Sequence, residues 1–153
     1  MSSIRVIDNP TIVTRIAARA SGTVYYPVWV FRASLILSPL LGPKKTPELV
    51  VLVDGIDCVA RVYRDCPQPR EVDPSGSEVM PPSIDETQAA KESKKRLQTY
   101  ALARYRGLTS SEVRLGEGKL VHKMFCILAG QRNADKPLVI DCLTGQQTVL
   151  RKT

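Results

Sequence analysis

Apolar residues recur along this chain with two periods, and the alternation of those periods sets out its elements. Between residues 9 and 20, Ile12, Ile16 and Ala20 repeat every four positions, Val13 and Ala17 widen the stripe, and Arg15 and Arg19 fall opposite. Asn9 followed by Pro10 suits a cap and a first helical position, and Gly22 suits a stop, so this stretch predicts a short amphipathic helix. Residues 23–37, TVYYPVWVFRASLIL, are dense in β-branched and aromatic side chains and predict a long strand. By period two, Tyr25, Trp29 and Phe31 share one face with Pro27, whose missing N–H calls for an edge, a bulge or an early strand position.

A loop rich in Pro and Gly (38–47) leads into LVVLVDGIDCVARV, residues 49–62, read as a strand, a turn at 54–58 and a second strand. Residues 65–83 hold five prolines and no apolar periodicity, the composition of a linker. The pattern then returns to a helical period. Ser83 followed by Glu86 matches a capping box, and Ala90, Leu97, Tyr100, Ala101 and Leu108 fall near one face, with Lys91, Lys94 and Lys95 opposite. A helix is expected to about Arg106, stopped by Gly107. Residues 109–118 read as a loop with a short extended piece at 113–115, residues 119–129 as a strand, and residues 130–137 as a turn. The hairpin LVIDCLTGQQTVL, 138–150, closes the chain.

The two hairpins align without a gap. Asp54 falls on Asp141, Val53 on Ile140, Ile56 on Leu143, Cys58 on Gly145 and Val62 on Val149. Both halves read as helix, long strand, loop, strand, acidic turn, strand, which predicts a single domain with an internal repeat, 9–64 and 85–151, joined by the Pro-rich linker 65–84. On this reading Trp29 matches Phe125. The turn types should differ, because Gly55 comes early in the first turn and Gly145 late in the second. The expected fold is α+β, with two helices packed on one face of an antiparallel sheet of five to seven strands. That element order resembles the PepSY and cystatin-like classes, in which a helix packs across a curved antiparallel sheet. The resemblance implies fold alone, and no functional residue follows from it.

Composition narrows the function classes. The chain has 43% hydrophobic and 24% charged residues in 153, enough for one globular core. Its apolar runs are far shorter than the ~20 residues of a membrane helix. With no secretory h-region and four cysteines that no small size requires to be bridged, reduced thiols and a cytoplasmic location are expected. No C-x-x-C pair occurs and His122 is the one histidine, so neither a metal nor another cofactor is expected. His122 and Cys126 share a face of the strand at 119–129, but four residues of strand separate them by ~13 Å, too far for a nucleophile and its base. A satisfied histidine beside a buried apolar cysteine is the expectation. Asp54, Asp57 and Asp141 read as turn residues whose carboxylates hold the local backbone, in preference to paired acids. No catalytic motif is present, and an enzyme is not expected.

Lys and Arg outnumber Asp and Glu by 22 to 15, a net charge of +7 that attracts polyanions without choosing among them. Three functions follow in order. The first is a small non-catalytic binding or scaffold module, with Tyr25, Tyr26 and Trp29 meeting a protein partner on the sheet face, or the edge at Pro27 pairing with a second copy. The second is a nucleic-acid-associated protein using the 85–106 helix, with Lys91, Lys94, Lys95 and Arg96 on phosphates and Arg104 and Arg106 in support. The third is a small-ligand carrier or enzyme with a pocket between the halves. Salt-dependent binding of polyanions separates the first two.

Overall fold

The computed structural model describes residues 3–128 and 138–149, so the turn read at 130–137 and the outermost ends of its flanking strands lie outside the described residues. The described chain is mixed α and β and mostly strand, with ten strands and two α-helices. In order these are β1 (Ile4–Ile7), α1 (Pro10–Ile16), a 3-10 turn (Ala17–Arg19), β2 (Ala20–Pro39), β3 (Glu48–Asp54), β4 (Ala60–Tyr63) and β5 (Arg70–Val72). There follow β6 (Glu78–Val79), α2 (Glu86–Arg104), β7 (Leu108–Leu115), β8 (Lys119–Leu128), β9 (Leu138–Asp141) and β10 (Gln147–Val149). None of the described helices is long and apolar enough to cross a membrane.

The chain divides into two compact units. One takes residues up to 27, 67–81 and those from 121 onward; the other takes 28–66 and 82–120. In the first unit β8 pairs antiparallel with β9, from Phe125 opposite Asp141 to Leu128 opposite Leu138, and β9 turns back on β10. β1 runs parallel to β8 at Val6 and His122, and antiparallel to β5. Val6, Tyr25, Met124, Cys126 and Cys142 form its core, and Ile12, Val13 and Ile16 of α1 pack against them. Helix α1 is capped as its sequence demands: Asn9 Oδ1 accepts the Thr11 N–H at 3.0 Å, and Pro10 opens the helix. The Asn9 N–H donates to the Cys142 carbonyl at 2.8 Å, which docks the cap onto the turn after β9. Buried Asp8 accepts from both Nε and Nη2 of Arg70, at 3.0 and 2.5 Å, and ties β1 to β5.

In the second unit β2 pairs antiparallel with β3 from Val28 opposite Asp54 to Ser34 opposite Glu48, with β7 from Ala33 onward, and β3 pairs with β4. Phe31, Leu35 and Leu37 of β2, Val51 and Val53 of β3, and Ala89, Leu97 and Ala101 of α2 form the core. Each large side chain so buried contributes roughly 1.5–3 kcal/mol of transfer free energy. The Phe31 ring fills the space beside Gly118: a Cβ there would lie 2.5 Å from Phe31 Cε1. Glycine at 118 is thus a packing requirement of the core.

Several expectations need correction. Ten strands stand where five to seven were expected, and two pairings, β1 with β8 and β2 with β6, are parallel. The Pro-rich stretch contributes β5 and β6, and β7 occupies the region read mainly as loop. These strands are three and two residues long or, in β7, largely exposed and polar, so neither period nor composition marks them; their partners' ladders define them. Pro27 sits between the β2 ladder to β6, which ends at Tyr25, and the ladder to β3, which begins at Val28, so its missing N–H interrupts neither.

The two acidic turns are built alike. In the first, Asp54 N–H donates to the Val59 carbonyl, Cys58 N–H to the Asp54 carbonyl, and Ile56 N–H to Asp54 Oδ1. In the second, Asp141 N–H donates to the Gln146 carbonyl, Gly145 N–H to the Asp141 carbonyl, and Leu143 N–H to Asp141 Oδ1. The left-handed residue is the fifth in each, Cys58 at φ 58° and Gly145 at φ 78°. The turns were expected to differ, but the hydrogen-bond frame of the aspartate, and not the position of a glycine, selects the geometry. The ladders also shift one expected match: Val28 faces Asp54 and Phe125 faces Asp141, so Phe125 corresponds in register to Val28 and not to Trp29.

Candidate binding surface on the second helix

Helix α2 begins where its cap is free to form. Asp85 Oδ1 accepts the Gln88 N–H at 2.8 Å, while Gln88 Oε1 accepts the Asp85 N–H at 3.1 Å. This capping box lies two residues beyond the Ser83–Glu86 box expected, because the N–H groups of Ser83 and Ile84 are engaged with the Gly55 carbonyl at 2.8 and 3.3 Å. Glu86 instead accepts the Gly118 N–H at 2.9 Å. Ala89, Ser93, Leu97 and Ala101, spaced by four, form the fully buried stripe; the Ser93 hydroxyl is satisfied by the Ala89 carbonyl at 2.8 Å. Ala90 and Tyr100, expected on the inner face, are half-buried at its margin.

The opposite face is open. Lys91, Lys94, Lys95 and Arg96 are all exposed, and among the described residues none of the four forms an ion pair. Arg96, Tyr100 and Arg104 succeed one another at intervals of four, so a single side of the helix carries a cation, an aromatic ring and a cation over about 12 Å. That row runs into a groove of about 480 Å³ lined by Pro47, Glu48, Leu49, Arg64, Tyr100, Arg104 and Tyr105. Two guanidinium groups and two phenol rings there offer bidentate donors to phosphate oxygens and faces on which planar rings stack. Glu48, at one wall, disfavours an anion at its own end of the groove.

The aromatic residues proposed from β2 do not line one groove. Tyr25 is 5% exposed in the first unit's core, where burial pushes its phenol pKa up. Tyr26, on the opposite strand face, meets Phe125 edge-to-face at 5.7 Å. Trp29 packs against the second unit's core and donates its indole N–H to the Ile84 carbonyl at 3.1 Å.

Sequence reasoning identified the exposed cations and missed Arg64, Tyr105 and residues 47–49, which lie far apart in the chain. The spacing of Arg96, Tyr100 and Arg104 was the available signal.

The acidic residues are occupied structurally. Asp54 Oδ1 accepts from both Ile56 and Asp57 at 2.8 Å, and Asp57 is exposed. Asp141, 8% exposed, holds Leu143 N–H through Oδ1 and Lys123 Nζ through Oδ2 at 3.0 Å. Among the described residues no cluster of His, Cys, Asp and Glu could hold a metal ion. His122 differs from the satisfied histidine expected: it is buried, and its Nδ1 has no hydrogen-bond partner among the described residues. Desolvation lowers its pKa, with the Met80 backbone partly opposing. Compared with family models, with curated proteins and with solved structures, the chain matches none.

Proposed function

We propose that this chain is a non-catalytic binding module whose working surface is the solvent face of α2, and that its ligand is single-stranded nucleic acid. The observation carrying this reading is a groove that pairs Arg64 and Arg104 with Tyr100 and Tyr105 at the end of a helix whose exposed surface carries Lys91, Lys94, Lys95 and Arg96. Phosphates track a positive row while unpaired bases stack on aromatic rings, the combination by which single strands are held without a sequence code. The net charge of +7 acts in the same direction. The aromatic residues of β2 are taken up by packing, which favours this reading over a partner on the sheet face.

Fluorescence anisotropy with labelled single-stranded RNA and DNA tests it. Binding is expected at about 50 mM salt and should weaken steeply as salt rises. Replacing Lys91, Lys94, Lys95 and Arg96 by Gln should lower the logarithmic salt slope by roughly 0.7 for each phosphate that is no longer neutralised. Absence of salt-dependent affinity, or an unchanged quadruple variant, would refute the assignment.

We also infer an internal duplication in which each helix docks on the hairpin of the other half. Two sets of bonds support it: the matching frames at Asp54 and Asp141, and the matching helix entries. Asn9 before α1 donates to Cys142, and Ser83 before α2 donates to Gly55, and each acceptor is the residue that follows the turn aspartate. Exchanging residues 54–59 with 141–146 should leave a cooperatively folding chain. Loss of the unfolding transition in both single chimeras and in the full exchange would sink the duplication.

A further inference from the structure

Cys126 on β8 and Cys142, just beyond β9, are neighbours across an antiparallel ladder, with Sγ atoms 3.3 Å apart. Their strands are held by the Cys126–Ile140 pair and by the Cys142 N–H bonded to the Met124 carbonyl at 2.9 Å, so the two thiols are diagonal cross-strand neighbours. Both side chains are fully buried among Val6, Tyr25 and Met124. The other two cysteines, Cys58 and Cys66, belong to the second unit.

An apolar pocket gives two thiols little beyond packing and one weak S–H···S contact. What the pocket does provide is a fixed approach. Forming a bond of about 2.05 Å from 3.3 Å needs side-chain rotation and a small closure of a ladder that already holds both strands. We propose that Cys126 and Cys142 are a disulfide-forming pair that links β8 to the turn after β9, oxidised by exchange with a small-molecule disulfide. Cys126 is the attacking group, because the sulfur–sulfur contact holds its pKa lowered, whereas the same contact and burial raise the Cys142 thiol. The Cys126 thiolate attacks one sulfur of oxidised glutathione and releases a first glutathione thiolate, which takes up the displaced proton. Cys142, losing its proton to solvent, then attacks Cys126 Sγ and releases the second. The protein loses two electrons and two protons, and one oxidised glutathione becomes two reduced ones.

Access is governed by α1. Ile12, Val13 and Ile16 pack on the core that holds both sulfurs, the helix has only seven residues, and its cap is bonded to the carbonyl of Cys142 itself. Oxidation therefore passes through a local opening in which α1 lifts.

The test equilibrates the purified full chain with oxidised and reduced glutathione, alkylates it in denaturant, and maps peptides by mass spectrometry. Alkylatable thiols should fall from four to two, with a linked Cys126–Cys142 peptide and with Cys58 and Cys66 still alkylated. The linked form should melt roughly 5–10 °C higher, because the bridge constrains the unfolded chain. Asn9→Ala, which weakens the α1 cap, should speed oxidation about fivefold without changing its end point. Cys142→Ser should leave Cys126 as a glutathione adduct under the same conditions. Four alkylatable thiols at full oxidation, or bridges that include Cys58 or Cys66, would overturn the assignment; an oxidation rate indifferent to Asn9→Ala would overturn the gating by α1.

Discussion

The turn at Asp54 and the turn at Asp141 share a backbone and differ in what the backbone is asked to carry. Each aspartate closes its own turn through Oδ1. At Asp54 that oxygen takes two N–H groups, from Ile56 and Asp57. At Asp141 it takes one, and the second oxygen binds Lys123, whose side chain is only 20% exposed. The left-handed fifth residue is an ordinary side chain in one case and glycine in the other. A local frame of this kind is written by one aspartate and a tolerated φ; the charge partner is supplied by the strand beside it.

That contrast can be broken at its strongest point first. Asp141→Ala strips the partner from a largely buried ammonium, so chemical denaturation should show a loss of about 3 kcal/mol, against about 1–2 kcal/mol for Asp54→Ala, which removes the acceptor of the Ile56 and Asp57 N–H groups. Adding Lys123→Met to Asp141→Ala should restore most of the difference. Equal losses at the two aspartates would mean that the Lys123 ion pair adds nothing.

The fifth position gives a smaller effect. Gly145→Ala places a Cβ at φ 78° and 3.4 Å from Ile12 Cδ1, and should cost about 1 kcal/mol. Cys58→Gly removes a left-handed side chain but also its packing on the second unit's core, and should change stability by only a few tenths of a kcal/mol. A large loss at Cys58 and none at Gly145 would invert the account of which turn bears strain.

The smallest effect separates the units. His122 is the chain's one histidine and lies in the first unit, where burial depresses its pKa. A ring held neutral in the fold binds fewer protons than in the unfolded chain. Its contribution is therefore complete above the unfolded pKa of about 6.5 and declines as pH falls below it toward the depressed folded value. Hydrogen exchange between pH 7 and pH 5, corrected for intrinsic rates, should show β8 and β1 loosening before β3 and β4. His122→Gln should flatten that difference; an unaltered difference would place its origin in another group.

Much of the site and fold was legible, and the failures have a common cause. The α1 cap at Asn9 and Pro10, the long β2 and the acidic hairpins were readable because their signals act within a few residues. The cap of α2 was misplaced by two residues because Ser83 was already committed to Gly55, a contact from another segment. Short β5 and β6 were invisible, since two or three residues of strand have no pattern of their own. In the candidate site, exposure of Lys91, Lys94, Lys95 and Arg96 followed from helical spacing, while the groove needed Arg64 and residues 47–49 brought against the end of α2.

By itself the sequence determined where α1 and the two acidic turns start, which face of α2 carries charge, and that Asp54 and Asp141 each close a turn through their own side chain. These depend on side chains bonding their own backbone and on the 3.6- and two-residue periods. Tertiary structure alone decided which helix covers which hairpin, that Cys126 meets Cys142, and that Asp141 holds Lys123. Those outcomes depend on which distant strands become neighbours, and a chain with several hydrophobic strands of similar pattern leaves that choice to the packing of the whole.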